Sequence, residues 1–395
     1  MSPLRTFRFK TNPLARFCIR LLIGFLSLAI QTQPLAGQQT PTSQPGTLPE
    51  DMVEFWAEIR SRPEDLAIAC MPLNKPSQTV LYNADQFPLA SVSKLLIFIE
   101  YAIRVDEGRI PLDEKVSIAQ LERYIIPGTD RGAHDRFMKP YTEDTVSINL
   151  FDLAAVGMMQ YSSNAASDYL LDRMAPIDWD SLFERLFLNE TDHPHALNSL
   201  PLIMNNHLDG RANSTNLLER SITLGETYLH QYVNNSDWRT AEIDYRKSLY
   251  GRGPNALWPS WTIQAQLLQD MSASSNVNDL RKLMKAIYGS ESPLSANVRF
   301  MVRTALRWRN NEFINLNYSE YGSKLGFYSG GVITLVAYGK TYAGDEVITV
   351  ILLRNLPMAT YNAILRQDRV GTLTHWMNFN ACQGLDSLIA RLYDG

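Results

Sequence analysis

Ser91 and Lys94 stand three residues apart at the head of PLASVSKLLIFIEYAI, Pro88 to Ile103, a segment that is otherwise almost wholly apolar. Residues at i and i+3 share one face of a helix, so hydroxyl and amine are placed to meet. A serine hydroxyl attacks a carbonyl poorly until a base takes its proton. Burial disfavours a charged ammonium, so a lysine carried into such a helix is neutral often enough to be that base. The competing reading is structural: a serine at a helix start, then a lysine that snorkels to solvent. Two further groups fit the chemical reading. Ser162, Ser163 and Asn164 offer hydroxyls and an amide between two apolar stretches, and GSKLGFYSGGV supplies Lys324 and Gly326 at the expected start of a strand.

These groups need elements to hold them. Leu95 to Ile103 is apolar nearly all round, which predicts a central buried helix. NLFDLAAVGMMQY predicts a helix capped by Asn149, with Asp152 three residues on in a near capping box; it stops at YSSN, and AASDYLLDRM resumes the helical spacing. Upstream, DMVEFWAEIR reads as an amphipathic helix, and DLAIACMPL and TVLYNAD as strands joined by NKPSQ. Downstream come helical patterns in NLLERSITLGETYLHQYV, in NDLRKLMKAIYG behind a Ser275 cap, and in SANVRFMVRTALRW behind Pro293. The chain closes with strands GGVITLVAYG and DEVITVILLR and a helix in CQGLDSLIARLYD. Strands at both ends with helices between them predict one sheet with edges from distant sequence and helices on both faces.

With S-V-S-K at Ser91 to Lys94, S-S-N at Ser162 to Asn164 and K-L-G at Lys324 to Gly326, the sequence resembles the penicillin-recognising serine hydrolases, and within them the class A β-lactamases, whose motifs are S-x-x-K, S-D-N and K-T-G. Order and spacing agree, as do the flanks YNADQFPLASVSK, NLFDLAAVGMMQYSSNAASDYLL and PLSANVRFMVRTAL; the resemblance covers residues 52–204 and 271–395. It implies an α/β (α+β) fold of the β-lactamase and penicillin-binding-protein type: an antiparallel sheet flanked by helices, plus an all-helical subdomain carrying the SxxK and SxN motifs. It also implies roles. Ser91 is the nucleophile and Lys94 its base, Ser162 relays a proton to the leaving nitrogen, and Asn164 binds the substrate amide and positions Lys94. Lys324 attracts the substrate carboxylate and, as a second cation, depresses the pKa of Lys94. The backbone N–H groups of Ser91 and of Phe327, after Gly326, form the oxyanion hole, where losing one donor costs roughly 3 kcal/mol of barrier.

Three departures qualify the resemblance. Ser163 replaces the aspartate of the second motif, a change of loop scaffolding. Leu325 removes a hydroxyl that would bind the substrate carboxylate. Most consequentially, the deacylating glutamate of E-x-x-L-N is matched by Pro194 in Pro194-His195-Ala196-Leu197-Asn198. His193 and His195 flank it; a histidine can activate water, but ordinary loop histidines are the expectation. The resemblance therefore implies an exported serine hydrolase acylated at Ser91 by β-lactams or related amides, or else a D-Ala-D-Ala peptidase or esterase-like enzyme with slow deacylation, or a non-hydrolytic protein that binds peptidoglycan fragments or β-lactams.

Composition bounds the rest. The chain has 395 residues, enough for one large or two ordinary domains. Basic residues from Arg5 to Arg20 precede or enter the apolar run Leu21 to Ile30, and small and polar residues follow to Gly37, the order of a signal peptide over 1–37; the run is short for an uncleaved anchor. The expected location is periplasmic or extracellular, with no stable membrane span after removal. Loss of that segment moves the formal charge from −4 to about −9, which argues against a nucleic-acid partner. Residues 38–51 are a Pro/Ser/Thr-rich linker, and 52–395 the catalytic domain with a helical, aromatic-rich insertion at 205–270. The insertion is a lid over the cleft or, as favoured, an added layer whose aromatics pack its own core. Cys70 and Cys382 form a disulfide or stay free thiols. No metal or cofactor is expected: His193-x-His195 lacks a third ligand, and neither a G-x-S-x-G elbow nor a dinucleotide loop is present. The expected partner is a small-molecule or peptidoglycan-derived substrate, and the expected state a monomer.

Overall fold

The computed structural model describes residues 52–392 apart from 143, 251, 253–255 and 309–310, so the expected signal peptide and linker lie outside the described residues. Helix α1 (Val53–Arg60) buries Phe55, Trp56 and Ile59, the face its spacing predicts. Strand β1 (Leu66–Pro72) is buried throughout, and β2 (Val80–Tyr82) pairs with it after a short 3-10 turn. Helix α2 (Ser93–Asp106) is buried at every residue from Ser93 to Ile103, which makes it the centre of the helical layer.

Asn149 caps as expected, its side chain accepting from the Phe151 and Asp152 amides, but the turns that follow, Leu153–Gln160, are π-helical. Gly157 faces the Phe137 ring, where an added Cβ would stand 3.0 Å from a ring carbon. After the loop at Tyr161 to Ser163, α3 (Asn164–Met174) begins with Ser163 as its cap. The segment 205–270 supplies a hairpin, Asn205–Asn206 with Gly210–Arg211, and helices α4 (Ile222–Asn234), α5 (Ser236–Tyr250) and α6 (Trp261–Met271). The helical pattern expected from Asn216 to Val233 is broken at Arg220, which turns inward to bond Asp209, and α4 restarts on the Ser221 cap.

Helix α7 (Val277–Tyr288) is capped by Asn276, whose side chain accepts from the Asp279 amide, not by Ser275. Ser275 instead pairs with Phe87 in a two-residue ladder, and its hydroxyl meets Thr191. Helix α8 (Ala296–Leu306) follows. Strand β3 (Tyr318–Tyr328) starts earlier than expected, so Lys324 and Gly326 lie in its second half: Tyr318 and Tyr321 are held by rings of His375 and Phe379 and extend the strand backwards. Strands β4 (Val332–Thr341) and β5 (Glu346–Leu353) match the sequence reading. Helices α9 (Met358–Arg366) and α10 (Arg369–Phe379) were not foreseen, and α11 (Leu385–Ala390) starts after Cys382 and Gly384 turn the chain at positive φ.

The five strands form one antiparallel sheet in the order β2-β1-β5-β4-β3. Side chains alternate across a strand, and here both faces are covered. Ala67, Ala69 and Met71 pack with α2, α7 and α8, while Leu66, Ile68 and Cys70 pack with α1, α10 and α11. On that second face Cys70 and Cys382 are joined in a disulfide, their Cα atoms 5.7 Å apart.

Candidate active site

Ser91 occupies the 3-10 turn Ala90–Val92 that feeds α2. Ala90 before it has φ +46 and Ser162 has φ +69, left-handed conformations that a non-glycine residue adopts at a cost of about 1–3 kcal/mol and that concentrate at functional sites. One turn along α2, Lys94 is fully buried. Its Nζ lies 3.2 Å from Ser91 Oγ, 2.6 Å from the Ser162 carbonyl oxygen, 3.2 Å from Ser162 Oγ and 2.8 Å from Asn164 Oδ1. Lys94 therefore does not snorkel.

Burial pulls the Lys94 pKa down to about 7, against the opposing pull of the Asp130 and Asp168 carboxylates. Lys324, also buried, donates to Ser162 Oγ at 3.0 Å and to its neighbour's carbonyl, that of Leu325, at 3.1 Å. Its pKa is held well below the usual lysine value by burial and then by repulsion from Lys94. Burial is the first cause of both shifts, and the two neighbouring cations repel one another, which disfavours charging both at once. A neutral Lys94 amine has two N–H donors. The Ser162 carbonyl and Asn164 Oδ1 take them at the shortest distances, which leaves the lone pair for a serine hydroxyl.

Strand β3 closes the site. A Cβ on Gly326 would lie 2.5 Å from Thr334 Oγ1, 2.8 Å from the Ser91 amide nitrogen and 2.9 Å from the Leu89 carbonyl oxygen, so only glycine lets this strand approach the serine turn. Thr334 Oγ1 donates to that same Leu89 carbonyl at 2.9 Å. The next residue, Phe327, is thereby set beside Ser91.

A cleft of about 650 Å³ opens over these groups, lined by Ser91, Ser162, Asn164, Lys324, Leu325 and Phe327, with Lys94 buried beneath. The structure thus brings the three motifs together. Ser163 faces away from the cleft: fully buried, it accepts from the Ala166 amide at 3.1 Å, and its Oγ lies 2.9 Å from His134 Nδ1.

The loop around Pro194 behaves differently. Neither Pro194, His193 nor His195 lines the cleft, whereas Leu197 does. His193 Nε2 sits 2.9 Å from Asp180 Oδ1 at the surface, and burial drops the His195 pKa to about 4, so that ring is neutral. Asp168 pins the loop by accepting from the Leu197 and Asn198 amides at 2.6 and 3.1 Å; burial raises its carboxyl to about 7. Among the described residues Asp130 is the one acidic side chain lining the cleft, and its oxygens accept from the Ala133 and His134 amides.

Sequence reasoning missed Arg131, Arg136 and Trp308 in this lining, whereas Trp258 belongs to the aromatic-rich insertion for which a place over the cleft was the less favoured alternative. The Arg131 guanidinium lies 4.8 Å above the Phe327 ring, and its Nη2 donates to the Tyr361 hydroxyl at 3.2 Å, so it reaches across the mouth of the cleft. The signal for it was weak, a charged and glycine-broken run, PGTDRGAHDR, in a long polar stretch. Among the described residues no group of three or more His, Cys, Asp or Glu side chains could hold a metal ion.

The model of the β-lactamase enzyme family matches residues 52–307, a span that holds the first two motifs and ends before Lys324. No curated protein matches the sequence. Among solved structures, a β-lactamase from Sphaerobacter thermophilus DSM 20745 is 14% identical with a TM-score of 0.52, covering 84% of this chain and 98% of its own. A double mutant of the class A β-lactamase of the last common ancestor of Gram-negative bacteria is 14% identical with a TM-score of 0.50, covering 82% and 97%. At that identity these likenesses carry the fold.

Proposed function

Because the chain belongs to the β-lactamase enzyme family, we propose that it is an exported active-site serine hydrolase, acylated at Ser91 by β-lactams or related amides. One observation carries this reading: Lys94 Nζ, fully buried, is within hydrogen-bond distance of Ser91, Ser162 and Asn164 at once. With a pKa of about 7 roughly half of the Lys94 side chains are neutral at neutral pH. Ser91 Oγ then attacks the carbonyl carbon as its proton passes to Lys94. The Ser91 and Phe327 amides receive the oxyanion, worth about 3 kcal/mol per donor. When the C–N bond breaks, the proton travels from Lys94 through the Ser162 hydroxyl to the leaving nitrogen. Asn164 spends Oδ1 on Lys94, which leaves its Nδ2 for the substrate's amide carbonyl. Lys324 supplies positive charge for the substrate carboxylate.

Breakdown of the acyl-enzyme is the weak half. Pro194 is the residue that the sequence matches to the glutamate of E-x-x-L-N, and no carboxylate of that loop lines the cleft. This favours slow turnover of the penicillin-binding kind over rapid hydrolysis. Export is supported by the order of residues in 1–37 and by the Cys70–Cys382 bridge, which suits an oxidising compartment. Among the described residues no helix is long and apolar enough to cross a membrane.

Intact-mass measurement over time with a penicillin and a cephalosporin tests the reading. A persisting adduct supports slow turnover, an adduct that forms and disappears supports a β-lactamase, and the absence of any adduct overturns the proposal.

A further inference from the structure

The cleft over Ser91 does not end at Phe327. Arg131, Trp258 and Ser329 line it and also line a second cavity of about 630 Å³, so the two adjoin at these side chains. The first cavity alone suffices for a ligand of drug size, for which sites span roughly 300–1,000 Å³. The pair is therefore larger than a small β-lactam needs.

Orientation follows from β3. A substrate lying along this strand with its carboxylate at Lys324 has its scissile carbonyl at Ser91 and Phe327. Its acyl side chain then continues towards Ser329, where the second cavity begins. Indole and thioether surface from Trp258, Trp261 and Met358 lines that cavity, and its charged lining consists of Arg131 and Arg211, with no acidic side chain among the described residues. In a chain of formal charge −4 such a lining is a local reversal of sign, the kind that draws anions. At the other end, Leu325 has removed a hydroxyl that would grip the substrate carboxylate, so recognition has less to rely on there.

We propose that the second cavity is an acyl-chain subsite, taking a long acyl group that packs on Trp258 and ends in a carboxylate paired with Arg211. The proposal rests on the reading that Ser91 is acylated, and its test separates the two. Two penicillins with the same nucleus serve as probes: one with an adipoyl side chain, which ends in a carboxylate, and one with a hexanoyl side chain of equal length and no charge. Their second-order rate constants for labelling the full mature protein are read by intact mass. The expected adipoyl-to-hexanoyl ratio is about ten or more, falling to about one in Arg211→Ala and below one in Arg211→Glu. Met358→Glu, elsewhere on the same lining, should also lower the ratio, which guards against a folding defect at Arg211. Labelling by both probes at equal rates, or a ratio unmoved by Arg211→Glu and Met358→Glu, overturns the subsite and leaves acylation standing. Labelling by neither probe overturns both.

Discussion

Lys94 carries the chemistry because of where it is buried. Its folded-state pKa, about 7, lies below the ordinary lysine value of 10.5. Between those two values the folded chain binds fewer protons than the unfolded one, so the stability cost of burying this amine is greatest below pH 7 and fades as pH rises to 10.5. The same sign governs acylation. Below pH 7 the amine is protonated and cannot take the Ser91 proton, so the second-order acylation rate constant should rise through an apparent pKa near 7 and level off above it. A pH-independent rate between 5 and 9 would contradict Lys94 as the base. Gly326 offers a second test at this scale. An alanine there would drive its methyl against two backbone atoms, the Ser91 nitrogen and the Leu89 oxygen, neither of which can yield alone. Gly326→Ala should lower the acylation rate by about a hundred-fold or more, the effect of a misplaced oxyanion donor. An unchanged rate in a folded variant would contradict the placement of β3 against the serine turn.

The elements that hold these residues were legible where one physical signal dominated. An all-round apolar run announced α2, the turn-bounded apolar segments DLAIACMPL, GGVITLVAYG and DEVITVILLR announced β1, β4 and β5, and Asn149 announced its own cap. The misreadings have local causes. Ser275 and Asn276 are both capping residue types side by side, and only the ladder with Phe87 decides between them by occupying Ser275. Asn276→Ala should therefore cost about 1 kcal/mol of unfolding free energy in a urea titration, and a loss of nearly zero would return the cap to its neighbour. Lys324 looked like a strand start because what extends β3 backwards is a ring cluster with α10, far away in sequence. The signal for Arg131 was weak for the same reason: its partners Phe327 and Tyr361 lie on elements that only the fold brings near.

At the scale of the molecule, the sheet's two faces divide the labour. The face carrying Ala67, Ala69 and Met71 shares one core with α2, which holds Lys94, and with α7 and α8, while the opposite face is stitched by Cys70 and Cys382. A bridge over a sequence separation of 312 strongly restricts the unfolded chain, so replacing both cysteines by serine should lower stability by roughly 2–5 kcal/mol while leaving acylation by penicillin intact. Equal loss of acylation in a folded variant would mean that the second face also shapes the site. The segment 205–270 contributes to both interior and cleft: Tyr232 and Trp238 pack together inside it, whereas Trp258 reaches the cleft. The central claim is that a covalent bond forms at one named oxygen. Incubation of the mature protein with benzylpenicillin, then digestion and tandem mass spectrometry, reads it directly. The account predicts a ring-opened penicillin, added without loss of atoms, on the peptide that contains Ser91 and on that serine, and no adduct in Ser91→Ala. A label on Ser162 or elsewhere, or one that survives Ser91→Ala, would contradict it.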